Sequence, residues 1–330
     1  MNKNNECIDT FISGRAYDPK SWMEKNRDAF QSMTLGKICM PGAHDAGMSS
    51  HGTGTFGAFK CNIVTQENTI LGQLNLGVRY FDIRPVISSG EYYTGHYSEV
   101  PVLGWQGANG QSLDSIISDV NTFTETQNEL IIIYLSHDLD TDCGRSYQSF
   151  TQEQYAGLCE KLESINFRAT STGSTFLNRT LGEFIGGSIK PEYPSQSSVV
   201  IIAEPSRNGV TPTAGSLVHT QSKLEVYNEY TDTNDLTKMM NDQITKMKAG
   251  HRYFLLSWTL TQDATQAATC EFGTASSILD LAKIANNALK SHLMPAITST
   301  VYPNIIYLDG IDNAEAVTLS VNINYTALGQ

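Results

Sequence analysis

Eight short segments of the chain carry patterns of hydrophobic residues that predict β-strands. In four of them the apolar residues are almost uninterrupted, namely residues 130–136, 198–204, 252–258 and 304–310. Such runs are typical of parallel strands whose two faces are both buried. The other four segments mix apolar and polar positions and comprise residues 35–40, 78–84, 91–97 and 223–229. The pattern therefore favours a sheet that is largely parallel and covered on both sides.

Helical patterns alternate with these strand segments. Four stretches predict helices from apolar spacing or from typical end residues, and they comprise residues 112–127, 151–165, 231–249 and 274–293. Thr151 followed by Gln154 is typical of a capping box at a helix start, and Gly250 is typical of a residue just after a helix. This alternation indicates parallel strands that are joined by crossover helices.

The number of strand segments suggests how the sheet is arranged. Eight parallel strands with intervening helices favour a closed barrel. Few helical patterns separate the strands in the first half of the chain, which indicates that the barrel is irregular. We therefore expect an α/β fold, an irregular (β/α)8 TIM-like barrel, in which residues 1–330 form a single domain.

Polar residues stand where the predicted strands end, and in barrels of this kind chemistry takes place at that rim. The rim residues that we expect to matter are histidines, carboxylates, an arginine and two other polar side chains: His44, Asp45, Asp82, Arg84, His96, His137, Glu204, Asn228, Tyr230 and Asp309. Asp312 lies close to Asp309 along the chain and is its rival at the last strand.

Two histidines, an arginine and several carboxylates at one rim are suited to cleaving a phosphodiester. One imidazole can take a proton from an attacking hydroxyl, and the other can give a proton to the leaving oxygen. A guanidinium can stabilise the additional negative charge of five-coordinate phosphorus. Carboxylates beside the imidazoles can fix their tautomers and raise their basicity.

Several segments resemble a known family, the phosphatidylinositol-specific phospholipase C X-domain superfamily. The most specific resemblance is in PGAHDAG (41–47), GVRYFDIRP (77–85) and YYTGHYS (92–98). VYNEY (226–230) and IIYLDGID (305–312) resemble later segments of the family, so that the similarity covers about residues 35–315. The stretch 74–100 is similar to the secreted fungal-type branch of these phosphodiesterase-like proteins.

The resemblance implies a role for each member of two histidine–carboxylate pairs. His44 would be the general base that acts on the attacking hydroxyl, and Asp309 would orient it. His96 would be the general acid for the leaving alcohol, with Asp45 as its partner. The rival role of Asp312 stays open at this point.

The resemblance also implies chemistry without a metal or another cofactor. Arg84 would stabilise the phosphorane, and Asp82 would support Arg84. In the metal-dependent branch of the family, acidic residues replace this arginine and bind calcium. A guanidinium at this position therefore favours a metal-independent enzyme with no metal site.

The positions that would contact the head group differ from those of the bacterial inositol-specific members. Those enzymes carry basic residues at the ends of the fourth and fifth strands, where this chain has His137 and Glu204. An aspartate of the sixth strand is replaced by Asn228, whereas Tyr230 is retained. We therefore expect phospholipase C-like cleavage of a phosphoinositide or a related phosphodiester, with these residues in substrate binding.

Three alternatives stay open. The first is a phosphodiesterase that acts on a non-inositol glycerophosphodiester, a sphingolipid or a glycan phosphate. The second is a catalytically silent barrel that binds lipid or sugar. The third is a metal-dependent hydrolase, against which Arg84 argues.

Net charge and hydropathy limit the classes of partner that we expect the protein to bind. The chain has a formal net charge of −12 and a pI near 5.0, which argues against nucleic acid and against strong attachment to anionic membranes. No apolar run is long enough to span a membrane. We expect a monomer whose partner is a phospholipid or a small phosphodiester, with transient contact between its rim loops and a membrane surface.

Cysteines and glycosylation sequons help to decide between a secreted and a cytoplasmic location. None of the six cysteines forms a CxxC pair; Cys39 is expected to be buried, and the disulfide candidates are Cys7, Cys61, Cys143 and Cys270. Sequons at 178–180 and 324–326 and a low lysine content favour a secreted protein. The N-terminus has no apolar signal-like core, so we expect that a signal is absent from this sequence, with a cytoplasmic location as the alternative.

Overall fold

The computed structural model describes residues 18–144, 146–171, 175–186, 196–213 and 215–330. Cys7, one of the disulfide candidates, lies outside these ranges. The strands in the described part of the chain are β1 Met40–Ala43, β2 Tyr80–Ile83, β3 Pro85–Ser88, β4 Glu91–Val100, β5 Gly104–Ser112, β6 Leu130–Leu135, β7 Leu139–Asp140, β8 Ser198–Ala203, β9 Val218–Thr220, β10 Leu255–Ser257 and β11 Ile305–Leu308.

The described residues also form α-helices. They are α1 Trp22–Lys25, α2 Arg27–Phe30, α3 Lys60–Ile63, α4 Ile70–Asn75, α5 Leu113–Thr124, α6 Gln152–Leu162, α7 Leu181–Ile185, α8 Leu236–Lys248, α9 Ala264–Thr269, α10 Ile278–Leu293 and α11 Glu315–Ala327. The four helices predicted from sequence are confirmed as α5, α6, α8 and α10. The capping box of Thr151 and Gln154 begins α6, and Gly250 has a φ of +82° just after α8.

A parallel sheet of seven strands forms the frame, in the order β10-β11-β1-β2-β6-β8-β9. After β9, a single parallel bridge at Tyr227 joins the chain to the segment at β10. The Tyr227 amide donates to the Tyr253 carbonyl at 2.9 Å, and the Tyr227 carbonyl accepts from the Leu255 amide at 3.0 Å. The α/β fold with an irregular barrel is therefore confirmed, although β9 and β10 do not pair.

Three of the predicted strand segments are placed differently. Residues 91–97 form part of β4, which lies in a second sheet of order β5-β4-β3-β7 and not in the barrel. Residues 223–229 contribute only the bridge at Tyr227 within the described chain, and β9 at 218–220 was not predicted. Residues 35–37 form a 3-10 turn and not a strand. Leu35 and Ile38 are buried in the core, which accounts for the apolar pattern ahead of β1.

The long apolar runs are explained by burial on both faces of the sheet. On β6, Ile131, Ile133 and Leu135 pack in the layer of α5 and α6. The alternate residues, such as Ile132 and Tyr134, pack inside the barrel. Because side chains alternate along a strand, an uninterrupted run supplies both layers at once.

The same alternation places residues of the rim on the face of each strand that points into the barrel. Tyr80 lies inside the barrel, and two-residue steps from it along β2 lead to Asp82 and then to Arg84. On β11, steps of two from Ile305 lead through Tyr307 to Asp309. Polar residues therefore continue the apolar interior at the carboxyl ends of the strands.

Two further sequence predictions concern covalent chemistry. Cys61 and Cys270 form a disulfide across a sequence separation of 209, whereas Cys143 is free and exposed, and Cys39 is buried as expected. Asn178 is exposed, but Asn324 is fully buried and its amide donates to the Cys39 carbonyl at 2.9 Å. The second sequon is therefore inaccessible in the fold. None of the described helices has the length and apolarity needed to cross a bilayer.

Candidate active site

His44 stands directly after β1 and contacts Asp309 at the end of β11. Its Nδ1 lies 2.7 Å from Asp309 Oδ1, and its main-chain amide donates to the Leu308 carbonyl at 3.0 Å. Asp309 is almost fully buried, whereas Asp312 is exposed and bonds to its neighbour Asn313. Of the two rival aspartates, only Asp309 therefore contacts His44.

Asp45 holds the second histidine. Its Oδ2 lies 2.7 Å from Nδ1 of His96, which reaches in from β4. Asp45 has a φ of +42°, a left-handed conformation that aspartate tolerates in turns, and the Asp45 amide donates to Asp82 Oδ2 at 3.1 Å. A Cβ on Gly47 would lie 2.3–2.6 Å from Thr94 of β4, so this glycine permits the close approach of β4 to the turn. The small residues after the His-Asp pair thus leave room for the strand that carries His96.

Arg84 lies between the two histidine–carboxylate pairs. Its Nη2 is 2.7 Å from Nε2 of His44, and its Nη1 is 3.4 Å from Asp45 Oδ2. Its Nε donates to Asp82 Oδ2 at 3.2 Å. Burial alone would lower the pKa of Arg84, but Asp45 and Asp82 outweigh it and keep the pKa above its ordinary value. The guanidinium is therefore permanently charged.

Asp82 is the most heavily bonded carboxylate of the cluster. Besides Arg84 and the Asp45 amide, it accepts from the Ser136 hydroxyl and from the Tyr307 hydroxyl, each at 2.7 Å. Burial would raise the pKa of Asp82, but Arg84 and His44 hold it well below its usual range. A carboxylate so charged and so bonded fixes the position of the guanidinium.

The protonation of His44 follows from its two partners. Arginine can only donate, so Nε2 of His44 accepts from Arg84 and Nδ1 carries the proton that is donated to Asp309. Burial lowers the pKa of His44, whereas Asp309 raises it, and the net result is a pKa above the ordinary value of imidazole. The basic lone pair of His44 is therefore on Nε2 and points at Arg84.

Two of the predicted head-group residues border this cluster. His137, with a φ of +54°, places its Nδ1 2.8 Å from the Ser136 hydroxyl, and burial together with Arg84 lowers its pKa. Glu204 bonds to the Tyr134 hydroxyl, and burial together with Asp82 raises the pKa of Glu204. An imidazole and a carboxylate thus stand where the resemblance would expect basic residues.

The other two predicted head-group residues stand apart. Asn228 and Tyr230 are both exposed, and Tyr230 retains 57% of its accessible surface. In the described part of the chain, neither residue shares a hydrogen bond or an ion pair with the cluster. Their assignment to substrate binding remains a prediction.

Sequence reasoning did not single out Ser136, Tyr307 and Tyr134, which bond to the charged residues of the cluster. Tyr307 precedes Asp309 by two residues, and Tyr134 precedes Ser136 by two, so each pair shares one face of its strand. Strand alternation was therefore the signal that could have found them. Across the described ranges, no three side chains of His, Cys, Asp or Glu are arranged to hold a metal ion.

Two curated proteins of similar sequence are named for phospholipase C or phosphodiesterase activity. No protein-family model matches the chain. The variant-surface-glycoprotein phospholipase C of Trypanosoma brucei brucei is 27% identical over 179 residues, which are 44% of this chain and 46% of that protein. A 1-phosphatidylinositol phosphodiesterase of Staphylococcus aureus is 25% identical over 226 residues, covering 66% of both chains. The similarity therefore spans about half to two thirds of the relatives' length.

Solved structures give broader coverage. A Staphylococcus aureus phosphatidylinositol-specific phospholipase C superposes with a TM-score of 0.60, at 17% identity, over 93% of this chain and 97% of the other. The corresponding enzyme of Listeria monocytogenes has a TM-score of 0.57, at 17% identity, over 94% and 99% of the two chains. The chain therefore has the fold of the phosphatidylinositol-specific phospholipases C. Its sequence is similar to those of a variant-surface-glycoprotein phospholipase C and a 1-phosphatidylinositol phosphodiesterase.

Proposed function

We propose that the protein cleaves a phosphodiester of an inositol phospholipid by general acid–base catalysis without a metal. The observation that carries this proposal is the pair of histidine–carboxylate contacts, each 2.7 Å long, on either side of one guanidinium. The similarity to enzymes named for phosphatidylinositol cleavage supports the substrate class. The stretch 74–100 supports placement in the secreted fungal-type branch.

His44 is the general base of this proposal. A substrate hydroxyl would replace Arg84 as the partner of Nε2 and would give its proton to that atom as its oxygen attacks phosphorus. Asp309 would then hold the imidazolium that forms. The product of this step is a cyclic phosphodiester when the hydroxyl belongs to the substrate, and water can open it with the roles of the histidines reversed.

His96 is the general acid. Asp45 bonds its Nδ1, so Nε2 is the atom that can protonate the leaving oxygen as the bond from phosphorus to that oxygen breaks. Arg84 can reach the non-bridging oxygens, since its side chain is 18% exposed while three contacts fix its position. Its permanent charge would stabilise the phosphorane.

Glu204 and His137 favour a second candidate, a phosphodiester whose head group is not plain inositol. A carboxylate and an imidazole of lowered pKa offer an acidic, hydrogen-bonding rim in place of two cations. Amine-bearing or glycosylated head groups suit such a rim better than additional phosphates. Asn228 and Tyr230 would complete this substrate-binding set.

A lipid surface is the setting that we propose for the substrate. Phe56, Val102 and Leu103 are at least 70% exposed. The Gln106 side chain connects the loop of Phe56 to the loop of Val102 and Leu103, because it accepts from the Gly57 amide and donates to the Leu103 carbonyl. These apolar side chains can touch a membrane transiently. The Cys61–Cys270 disulfide supports an oxidising compartment, and hence a secreted protein.

The test is turnover of phosphatidylinositol and of other phospholipids in vesicles and micelles with excess EDTA. We expect cleavage of the inositol lipid that His44→Ala and His96→Ala each reduce by about 10²–10⁴-fold. Asp312→Asn, which changes an exposed aspartate beside the site, is the matched control and should keep its activity. Loss of turnover in EDTA that calcium restores would refute the metal-free mechanism. A folded protein that turns over no phosphodiester would refute the enzyme function in favour of a binding role.

A further inference from the structure

A buried dipeptide outside the cluster, Thr65-Gln66, joins the two turns that carry His44 and Asp309. Both of its residues are fully buried. They lie between α3 and α4, in the segment that follows the disulfide-bonded Cys61. Neither residue takes part in the steps proposed above.

Gln66 bonds to both turns at once through its side chain. Its Nε2 donates to the His44 carbonyl at 2.8 Å and to the Leu308 carbonyl at 3.0 Å. Its Oε1 accepts from the Ile311 amide at 3.3 Å. Both N–H groups and the oxygen of the side-chain amide are therefore used, and all three bonds go to main-chain atoms. One side chain thus links the turn after β1 to the turn after β11.

Thr65 makes the same link through its hydroxyl and its main chain. Its Oγ1 donates to the Asp45 carbonyl at 2.9 Å, and its carbonyl accepts from the Gly310 amide at 2.7 Å. The main-chain amides of Thr65 and Gln66 both donate to the Met48 carbonyl, at 3.0 and 3.2 Å. The dipeptide is therefore anchored to the first turn on one side and bonded to the second turn on the other.

The atoms that Gln66 bonds flank the base pair of the proposed mechanism. They are the carbonyl of His44 itself and main-chain groups one residue before and two residues after Asp309. The 2.7 Å contact between His44 Nδ1 and Asp309 Oδ1 joins the same two turns. A buried amide is costly unless its groups are bonded, so Gln66 avoids that cost only while the turns keep their spacing. The amide therefore acts as a spacer of fixed length.

We propose that Gln66 is a positioning residue for the general base: by fixing the spacing of the two turns, it keeps the Asp309 carboxylate at hydrogen-bond distance from His44. The proposal deepens the function proposed above and rests on it for turnover. The effect on the imidazole itself needs no substrate and can be measured in the free protein.

The protonation of His44 reports this spacing. The titratable and charged groups that face the imidazole are Asp309, Tyr307, Asp82, Arg84 and His137. Burial lowers the pKa of His44, Asp309 raises it, and Arg84 lowers it. The effect of Asp309 weakens as the distance between the two side chains grows. A looser pair of turns should therefore lower the pKa of His44.

Gln66→Met removes the amide and keeps the length of the side chain. Because a misplacement of about 1 Å can cost about 10²-fold, we expect kcat on a soluble short-chain phosphatidylinositol to fall by about 10–10²-fold. KM should stay within about twofold of the parent, since substrate binding is not altered. The midpoint of the pH profile of kcat/KM should move to lower pH. So should the pKa of His44 in the free protein, titrated by NMR and assigned by its absence from His44→Ala.

Gln243→Met is the matched control. Gln243 is also fully buried, its Nε2 donates to the Glu229 carbonyl at 2.9 Å, and its Oε1 accepts from the Ser257 amide at 3.0 Å. It links β10 to the chain before α8 and bonds to neither of the turns that carry the base pair. This variant should lose stability in thermal denaturation but keep kcat and both pH midpoints.

A double variant distinguishes action through Asp309 from a general loosening of the fold. If Gln66 acts through the contact with His44, Gln66→Met added to Asp309→Asn should lower kcat by no more than about twofold beyond Asp309→Asn alone. Two independent losses would instead multiply.

The outcomes separate the two proposals. A folded Gln66→Met protein with unchanged kcat and an unchanged pKa of His44 would overturn the positioning role even if the parent cleaves phosphatidylinositol, and so would losses that multiply in the double variant. If Gln66→Met does not fold, the same criteria apply to Gln66→Asn, which keeps the amide but is too short to bond to both turns. A parent that cleaves no lipid would refute the enzyme function, and the NMR titration alone would then decide the positioning role.

Discussion

Asp309→Asn is the substitution that examines the base half of the cluster most directly. The carboxylate is 3% exposed and lies 2.7 Å from His44 Nδ1, so its charge acts on the imidazole with little screening by water. Asparagine keeps the shape, but removes the charge and can donate its amide to Nδ1, which would leave the wrong tautomer. General-base catalysis contributes about 10²–10⁴-fold, and we expect a loss of kcat in that range.

The pH profile gives a second, independent readout of the same change. His44 must be neutral to act as a base, and its pKa is raised, so activity should rise with pH through a midpoint above that of free imidazole. Without the charge of Asp309, burial and Arg84 would lower that pKa, and the midpoint should move to lower pH. The protonated pair also stabilises the fold below the pKa of unfolded histidine, and this contribution is lost as pH rises through the folded pKa.

The assay is the pH dependence of kcat and kcat/KM on a soluble short-chain phosphatidylinositol, with folding checked by thermal denaturation. Asp312→Asn is the matched control, because it removes a carboxylate three residues away that is exposed, and it should stay within about twofold of the parent. An Asp309→Asn protein with unchanged kcat and an unchanged midpoint would refute the assignment of this pair to the reaction.

Two further predictions concern stability. Arg79 has a fully buried guanidinium that lies 2.9 Å from Glu129, so Glu129→Gln removes its counter-ion and should lower the free energy of unfolding, measured in urea, by about 3–5 kcal/mol. Asp114→Asn, at an exposed ion pair, should change it by about 0–1 kcal/mol. Similar losses for both variants would contradict the argument. Cys61→Ser opens the disulfide to Cys270 and should lower the same free energy by about 2–5 kcal/mol, as should reduction of the parent; a parent insensitive to reductant would contradict it.

The parallel frame could be predicted because its strands are buried on both faces, as in 130–135, and so leave a clear hydrophobic signal. The second sheet left a weaker signal. Its strand β5, with the sequence GWQGANGQS, is rich in glycine and polar residues, which are poor strand formers. The alternation in 91–97 indicated a strand but not its partner, and the partner β5 was not visible. His96 was therefore expected on the barrel, although it comes from outside it.

The order of predictability at the rim has a similar physical basis. Residues that end a buried run, such as Arg84 and Asp309, are reached by counting in twos from the interior of the barrel. Their partners depend on how neighbouring strands are staggered, which sequence does not reveal. The choice between Asp309 and Asp312 as the residue beside His44 is such a case, because only the register of β11 against β1 brings Asp309 level with it.

In the proposed mechanism, the charges of the cluster give a physical reason for having two histidines at one phosphate. Asp45, Asp82 and Asp309 are three carboxylates, and Arg84 is the one cation among them that does not titrate in the working range. With both imidazoles neutral, the carboxylates exceed the cations by two, and a phosphodiester would add another negative charge. Coulomb repulsion in such a buried site is strong. A proton on the imidazole beside Asp45 would reduce that excess, and in the proposed mechanism it is the same proton that the leaving oxygen requires. Binding of an anionic substrate would then favour the form of His96 that can act as the acid.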